Sequence, residues 1–372
     1  MSHGDEQLSW EPAPGHGPEV LYAVDGRLGR ARLNRPRAIN ALDRAMIDSL
    51  HHQLTAWTDD DRIAGVLLDG AGERGLCAGG DVRALREAVL AGRHEDAVDY
   101  WRAEYAVNAL VASYPKPYVA WMDGIVMGGG VGVSAHGSLG LVTERTRLAM
   151  PEVIIGFFPD VGGLHLLAGA PGETGTHVAL TGGPVGGADA LLLGMAQALV
   201  PSDAEEQVRQ LLRRQPDASA DQVLAAAGRS GEERPPGGDV RAGDGSPAGG
   251  AASWLADNRS WIDGCYVGDD AAGILQRLRE HPAAAAQEAA RTVAARSPFS
   301  VAVTLEALRR AASMTLAEVL AQDLRLGATF ATHPDFAEGV RAQLVDKDRS
   351  PRWRHPSVED VPRDEVLAAF DG

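Results

Sequence analysis

Two glycine-rich turns constrain this chain more than any other feature of its sequence. Residues 128–132 read GGGVG, and an earlier turn over residues 77–81 reads CAGGD. Each turn lacks the side chains that keep a ligand away from the backbone, so it can present bare N–H groups to an oxygen that becomes negative during a reaction. MPE at 150–152 and FPD at 158–160 follow them. The pattern predicts a site that polarises a carbonyl group and places carboxylates beside it.

Composition and charge narrow the possible partners. The 372 residues are 45% hydrophobic and 23% charged, which is typical of a globular protein, and the net charge is −16. This acidity argues against a general nucleic-acid surface, which needs a basic face to displace counterions, but not against a small anionic ligand.

Cysteine content and the N-terminus bear on the compartment. With only Cys77 and Cys265, a disulfide framework is not expected and a reducing compartment fits. Residues 1–18 contain three acidic residues and resemble neither a signal peptide nor a transit peptide, and no stretch approaches a membrane span. We therefore expect a cytoplasmic protein with no membrane partner.

The order of apolar segments predicts an α/β architecture. Two short strands meet at Asp25-Gly26, a hairpin signal, and a helix is expected over 42–57. Strands over 63–69, 116–122, 139–143 and 147–150 then alternate with helices over 82–91, 94–113, 131–136 and 163–169. This repetition indicates mostly parallel strand pairing.

Composition divides the chain into four segments. Residues 1–18 are expected to be a loose tail, residues 19–214 a catalytic core, and residues 215–252 a flexible insertion rich in glycine and proline. Residues 253–372 read as a helical subdomain, with helices over 273–280, 283–296, 301–312 and 316–332.

The second glycine turn also fits another kind of site. Residues 130–135 read GVGVSA, a variant of the dinucleotide-binding fingerprint, and Glu152 lies near the spacing of a ribose-binding acid. That interpretation leaves the turn at 77–81 and Asp160 without a role. Tight packing of the glycines, with no ligand, is a further alternative.

Several motifs together resemble the crotonase (enoyl-CoA hydratase/isomerase) superfamily. They are NRP at 34–36, CAGGD at 77–81, GIVMGGGVG at 124–132, MPE at 150–152, FPDVGG at 158–163 and HPDFAEGVRA at 333–342. The resemblance covers roughly 20–210 and 255–355, and it implies a spiral of repeated ββα units with a helical C-terminal subdomain. It also implies that the N–H groups of Gly80 and Gly129 form an oxyanion hole for a thioester carbonyl.

One departure from the hydratase pattern bears on the reaction. The resemblance implies that a hydratase uses two glutamates around a water molecule, but the first position is Gly132 here, while the second, Glu152, is retained. Alkene hydration is therefore disfavoured, since half of the acid–base pair is missing. Asp160 after Phe-Pro, together with Glu104, resembles a thioester-hydrolase branch of the superfamily.

That resemblance implies hydrolysis of a short 3-hydroxyacyl-CoA, with 3-hydroxyisobutyryl-CoA of valine breakdown as the expected substrate. Glu152 would activate water or attack the carbonyl, Asp160 would orient the reacting groups, and Glu104 would bind the polar end of the acyl group. No cofactor is expected, because coenzyme A is part of the substrate. Family likeness also implies a possible homo-oligomer, a trimer or hexamer. A hydratase or isomerase, a nicotinamide-dependent oxidoreductase and a non-catalytic binding protein remain alternatives.

Each candidate residue also has a structural alternative. Glu152 is placed to start a helix, Asp160 to cap the helix at 163, and Glu104 to lie on a solvated helix face. Ser134 and His136 invite a hydrolase-triad interpretation, but they miss the spacing of a nucleophile elbow. No cluster has the spacing of metal ligands, so no metal is expected. Five arginines are candidates for the CoA phosphates: Arg30, Arg32, Arg35, Arg37 and Arg83.

Overall fold

A computed structural model describes residues 8–228 and 252–371 of the chain. Contacts between residues divide the chain into two compact units, and each unit is formed by three separate segments. The first unit comprises Met1–Gly80, Ala106–Leu148 and Val185–Trp254, and the second comprises Asp81–Tyr105, Ala149–Pro184 and Leu255–Gly372. Composition predicts only consecutive segments, because it carries no information on which distant parts of the chain pack together. The two units therefore do not follow the predicted segment boundaries.

The first unit is built on two sheets. Its strands are β1 (Val20–Asp25), β2 (Leu28–Leu33), β3 (Gly65–Gly70), β4 (Gly75–Cys77), β5 (Tyr118–Met122), β6 (Ile125–Met127), β7 (Leu139–Val142), β8 (Arg147–Ala149) and β9 (Ala198–Leu199). One sheet has the order β1-β2-β3-β5-β7-β9 and the other has the order β4-β6-β8. From β3 on, successive strands alternate between the larger and the smaller sheet, which is the predicted spiral of ββα units.

Strand pairing in the larger sheet follows the hairpin and the buried runs. The β1–β2 pair is antiparallel, with Val20 opposite Leu33, and it turns at Gly26, whose φ is +68°. The β2–β3, β3–β5, β5–β7 and β7–β9 pairs are all parallel, as the sequence predicted. Arg30 and Arg32 on β2 pair with Asp69 on β3, so the charged groups that enter this core neutralise one another.

Helices accompany the strands of the first unit. They are α1 (Arg44–Thr58), α4 (Gly129–Gly132), α7 (Gly187–Leu192), α8 (Glu205–Arg214) and α9 (Ala220–Ala226). The Asp43 side chain caps α1 by accepting a hydrogen bond from Met46 N at 2.9 Å. An apolar core lies between the sheet and α8 and α9, formed by residues that include Leu67, Val119, Leu141, Val208, Leu212 and Val223.

Three sequence expectations for the first unit differ from the structure. The helix predicted through 131–136 ends at Gly132, because glycines form helices poorly and Ser134 Oγ donates to Gly130 O at 2.6 Å. The predicted tail is anchored from Glu11 on, since Glu11 and Tyr22 exchange backbone hydrogen bonds of 2.8 and 2.9 Å. Within the expected flexible insertion, α9 is a helix with Val223 buried, and residues 229–251 lie outside the described residues.

The second unit is helical. Its helices are α2 (Val82–Leu90), the first part of α3 (His94–Ala112), α5 (Gly163–Ala168), α6 (Thr174–Thr181), α10 (Trp254–Cys265), α11 (Ala271–Glu280), α12 (Ala284–Ala294), α13 (Pro298–Ala311), α14 (Leu316–Thr332), α15 (Pro334–Val340) and α16 (Arg363–Ala368). A π-helix over Arg341–Val345 follows α15. Within the described residues, no helix combines the length and the apolar character that crossing a membrane requires.

Helix caps and a buried carboxylate organise the C-terminal helices. Ser297 caps α13 by accepting from Ser300 N, and its hydroxyl donates to Asp335 Oδ2 at 2.6 Å. Asp335 is fully buried, and its second oxygen accepts from Arg354 N at 2.8 Å. Thr315 and Glu318 form a capping box that starts α14. The predicted C-terminal helices therefore form, with bounds within a few residues of those expected.

Candidate functional site

In the first unit, the two glycine turns lie against each other. A Cβ atom added at Gly79 would lie 3.3 Å from Met127 O and 3.8 Å from Gly129 N, and Gly79 has a φ of +106°. A Cβ at Gly130 would meet Cys77 O at 2.7 Å, which is closer than such atoms approach. Glycine is therefore required at both positions, by conformation at Gly79 and by space at Gly130.

The predicted oxyanion donors belong to these turns. Gly129 is buried at the start of α4, Gly80 is half-buried, and neither N–H has a protein acceptor among the described residues. Gly80 is held by its neighbours, since Leu42 forms a β-bridge to it and donates its N–H to Gly79 O at 2.8 Å. Both N–H groups are therefore available to donate hydrogen bonds to a ligand.

In the second unit, four buried carboxyl groups form a cluster, which we call the carboxylate cluster: Glu104, Glu152, Asp160 and Asp323. None of them is more than 6% exposed. Across the described residues, no Lys, Arg or His lies within ion-pair distance of any of the four. Buried carboxyl groups without cations are costly to ionise, so burial here favours their protonated forms.

Burial sets the protonation of the cluster. It raises the pKa of Asp160 to about 7, while hydrogen bonds from the Tyr105 hydroxyl and from the backbone act in the opposite direction. Burial, and then the charge of Asp160, raise the pKa values of Glu104 and Glu152 well above their usual range. Such shifts are typical of groups that exchange protons near neutral pH.

The chain positions Glu152 on a short 3₁₀ helix (Glu152–Ile155) that follows β8. Glu152 O accepts a hydrogen bond from Phe157 N at 3.0 Å, while its side-chain Oε2 is buried without a partner among the described residues. The helix ends at Gly156, where a Cβ would lie 2.2 Å from Asp335 O. Glu152 does begin a helix, as its structural alternative stated, but it is buried rather than solvated.

Asp160 lies after an aromatic pair. Phe157 stacks on Trp101 with ring centroids 5.0 Å apart, and Phe158 packs on Phe330 at 5.3 Å. The side chain of Asp160 does not cap α5, because its Oδ2 accepts a hydrogen bond from the Tyr105 hydroxyl at 2.8 Å. The structural alternative, in which Asp160 caps the helix at 163, is therefore wrong.

Glu104 occupies a buried face of α3. It is 2% exposed, and Oε1 has no hydrogen-bond partner within the described part of the chain. The alternative of a solvated helix face is therefore wrong for Glu104. Glu104, Glu152 and Asp160 lie close enough together for the charge of Asp160 to raise the pKa values of both glutamates.

Sequence reasoning missed two members of this site, Tyr105 and Asp323. Asp323 Oδ2 accepts a hydrogen bond from Gly162 N at 2.9 Å, and Asp323 is fully buried. A signal for it exists in the sequence, because Asp323 shares the apolar face of α14 with Val319, Leu326 and Phe330. Tyr105 has no comparable signal, since an aromatic residue on a helix usually packs in a core.

Most of the other polar and charged residues singled out in the sequence bind protein groups. Ser134 Oγ donates to a backbone carbonyl, which disfavours it as a nucleophile, and Cys77 is buried with Sγ 3.2 Å from Asn40 O. Among the arginines, Arg30 and Arg32 bind Asp69, Arg35 binds Asp43, Arg83 donates to Leu344 O, and Arg37 is exposed. No group of three or more His, Cys, Asp or Glu suited to a metal ion occurs among the described residues.

Comparison with known proteins agrees with this fold. The family model described as enoyl-CoA hydratase/isomerase matches residues 28–370. A curated relative from Xenopus laevis, named 3-hydroxyisobutyryl-CoA hydrolase, mitochondrial, is 36% identical over 94% of this chain and 88% of its own length. The Homo sapiens protein of the same name is 34% identical over 95% of this chain and 88% of its own length.

Two solved structures are also similar. A structure from Mycobacterium thermoresistibile, described as a carnitinyl-CoA dehydratase, has 46% identity and a TM-score of 0.85, covering 95% of this chain and 96% of its own. A structure from Rhodobacter sphaeroides, described as an enoyl-CoA hydratase, has 36% identity and a TM-score of 0.84, covering 95% of this chain and 97% of its own.

These relatives correct the expected location. The cytoplasmic location inferred from residues 1–18 is contradicted, because the curated relatives are named as mitochondrial proteins. The composition of a short polar segment is weak evidence on compartment, which explains the error. The fold and the family are confirmed, and the chain belongs to the enoyl-CoA hydratase/isomerase family, the crotonase superfamily.

Proposed function

We propose that this protein hydrolyses a short 3-hydroxyacyl-CoA thioester, with 3-hydroxyisobutyryl-CoA as substrate and 3-hydroxyisobutyrate and coenzyme A as products. The curated relatives of that name support the substrate. Two observations carry the reaction type: Gly132 stands where the family resemblance places a hydratase glutamate, and Glu152 belongs to a buried carboxylate cluster. The reaction would serve valine degradation, and it needs no cofactor besides the coenzyme A of the substrate.

The glycine turns supply the electrostatic part of catalysis. The N–H groups of Gly80 and Gly129 donate to the thioester oxygen as it becomes negative. Because such donors act on the transition state more than on the substrate, losing one typically raises the barrier by about 3–4 kcal/mol. By family resemblance, this donor pair and Glu152 act on the same carbonyl group.

Glu152 supplies the basic group. Its raised pKa makes the ionised form a stronger base than an ordinary glutamate. It either removes a proton from water as the water attacks, or attacks the carbonyl itself to form an anhydride that water then cleaves. In both routes the C–S bond breaks and the acyl group leaves as a carboxylate. Of the two protons of the water molecule, one passes to the leaving thiolate to give coenzyme A and the other is released to solvent.

Asp160 and Glu104 act on the polar part of the substrate. Asp160, fixed by Tyr105, orients the hydroxyl of the acyl group or the attacking water. Glu104, whose Oε1 has no protein partner in the described residues, accepts a hydrogen bond from the same polar end. A buried acceptor left unpaired rejects an acyl chain that lacks the hydroxyl, so the site favours 3-hydroxyacyl groups.

A second candidate is alkene hydration, because two similar solved structures are described as a dehydratase and a hydratase. It requires a second carboxylate to replace the one missing at Gly132. Asp160, with a pKa of about 7, is the group in the carboxylate cluster that could give and take a proton in place of the missing glutamate. The two reactions consume different substrates, so one assay separates them.

The decisive experiment measures free thiol release from 3-hydroxyisobutyryl-CoA and, in parallel, loss of the alkene absorbance of crotonyl-CoA. Thiol release without hydration supports the proposal. Rapid hydration without thiol release would overturn it in favour of the second candidate. Isobutyryl-CoA, which lacks the hydroxyl, tests whether the site selects hydroxyacyl groups. Light scattering of the purified protein tests the trimer or hexamer expected from family likeness.

A further inference from the structure

The turn that carries Asp160 has an unusual backbone. Val161 has a φ of +54° and Gly162 has a φ of +73°, so two consecutive residues adopt the left-handed conformation. For a β-branched residue such as Val161 this conformation is strained. Strained conformations persist only where neighbouring groups hold them, and they concentrate at functional sites.

A distant side chain holds this turn. Asp323, on α14, accepts a hydrogen bond from Gly162 N at 2.9 Å, although the two residues are 161 positions apart in sequence. The turn also closes on itself, because Gly163 N donates to Asp160 O at 2.7 Å. The backbone on the C-terminal side of Asp160 is thus tied at two successive N–H groups.

Burying the carboxyl group of Asp323 is energetically unfavourable, and packing alone does not explain why an aspartate occupies this position. It is fully buried, its Oδ1 has no hydrogen-bond partner among the described residues, and no cation there pairs with it. Burial, and the nearby charge of Asp160, raise its pKa. An apolar residue would be less costly to bury on this face of α14. What an aspartate offers that an apolar residue does not is the hydrogen bond to Gly162 N.

We propose that Asp323 is a positioning residue for thioester hydrolysis, whose side-chain oxygen pins the Gly162 N–H and thereby aims the side chain of Asp160 at the Tyr105 hydroxyl. The inference rests on the proposed function. The hydrogen bond to Gly162 N needs only an acceptor oxygen on residue 323. Asn retains that oxygen and Ala does not.

The test compares Asp323→Asn with Asp323→Ala, and with Gln322→Ala as a matched control on the same helix. Gln322 is also buried, and its Nε2 donates to Ala307 O, so its truncation opens a similar hole without touching the turn. We expect Asp323→Asn to keep kcat within about threefold of the unsubstituted protein, and Asp323→Ala to lower kcat by about 10²-fold with a smaller change in KM. Gln322→Ala should lower thermal stability and leave kcat unchanged.

A second readout is independent of turnover. Hydrogen exchange resolved to the single amide of Gly162, by NMR or by fragmentation of a peptide covering residues 157–168, reports this N–H. Its exchange should accelerate about tenfold or more in Asp323→Ala, and remain slow in Asp323→Asn and Gln322→Ala. If the protein releases no thiol from 3-hydroxyisobutyryl-CoA, the proposed function fails, while the exchange data still decide whether Asp323 holds the turn.

Two outcomes would overturn the inference. One is full kcat and unchanged exchange in a folded Asp323→Ala protein. The other is an equal loss in Asp323→Asn and Asp323→Ala, which would mean that the charge and not the acceptor oxygen matters. If Asp323→Ala does not fold, Asp323→Ser supplies the comparison, because the shorter serine side chain does not span the 2.9 Å contact to Gly162 N.

Discussion

The hydroxyl of Tyr105 donates a hydrogen bond to Asp160 Oδ2 over 2.8 Å, with both groups buried. Burial and the charge of Asp160 raise the pKa of the Tyr105 hydroxyl, so that the hydroxyl stays protonated and remains a donor. The bond lowers the pKa of Asp160, which burial otherwise raises. A neutral side chain thus sets how readily this carboxyl group ionises near neutral pH.

Replacing Tyr105 with Phe should shift the pH profile of hydrolysis. Removing the hydroxyl takes away a bond that favours the ionised form, so the pKa of Asp160 rises above about 7 and the acid limb moves to higher pH. The measurement is kcat against pH. Tyr100→Phe is a matched control on the same helix, at a tyrosine outside the carboxylate cluster. An acid limb that stays in place in Tyr105→Phe would contradict the role of the hydroxyl.

Glu152→Gln should abolish most of the hydrolysis. The amide preserves size but cannot act as base or nucleophile, and general-base catalysis contributes about 10²–10⁴-fold. We expect kcat for thiol release to fall by that factor while the thermal unfolding temperature stays equal or rises, because a costly buried carboxyl group is removed. Undiminished thiol release by this variant would remove Glu152 from the mechanism.

Asp160→Asn should stabilise the protein while impairing catalysis. The folded state keeps a proton on Asp160 up to about pH 7, whereas an unfolded aspartate releases it near 3.8. The folded state therefore binds more protons between these values, and the stability contributed by this group falls as pH rises through that interval. Asn cannot ionise and still accepts a hydrogen bond from Tyr105.

The measurement is the free energy of unfolding of Asp160→Asn and of the unsubstituted protein across pH. The advantage of the variant should grow from about pH 4 to about pH 7 and then level off, reaching a few kcal/mol. An advantage that is constant with pH would show that Asp160 ionises normally in the folded protein.

Gly130→Ala should disrupt the oxyanion turns. A Cβ there would lie 2.7 Å from Cys77 O, a backbone atom that cannot move away alone, so the turns must separate. Since small displacements of catalytic donors are costly, we expect kcat to fall by about 10²-fold. Gly186→Ala is the control, because a Cβ at Gly186 meets nothing within 4 Å. Equal activity of the two variants would argue against close contact between the turns.

Much of the fold was predictable because its signals are local. The apolar alternation, the Asp25-Gly26 turn and the caps of the C-terminal helices depend on residues within a few positions of each other. The helix expected through 131–136 failed for a local reason as well, since glycine and the Ser134 hydroxyl end it at Gly132. Location was misjudged because a polar N-terminal segment carries little information about compartment.

The sequence by itself determined the family and the two glycine turns, because short motifs encode backbone conformation directly. Its resemblance to that family also pointed to the carboxyl groups at positions 104, 152 and 160. Only the tertiary structure decided that Tyr105 binds Asp160 and that Asp323 holds Gly162. These partners lie 55 and 161 positions apart, and the pKa values of the carboxyl groups depend on burial and mutual charge. Burial and the distances between the charges are set only when the chain has packed.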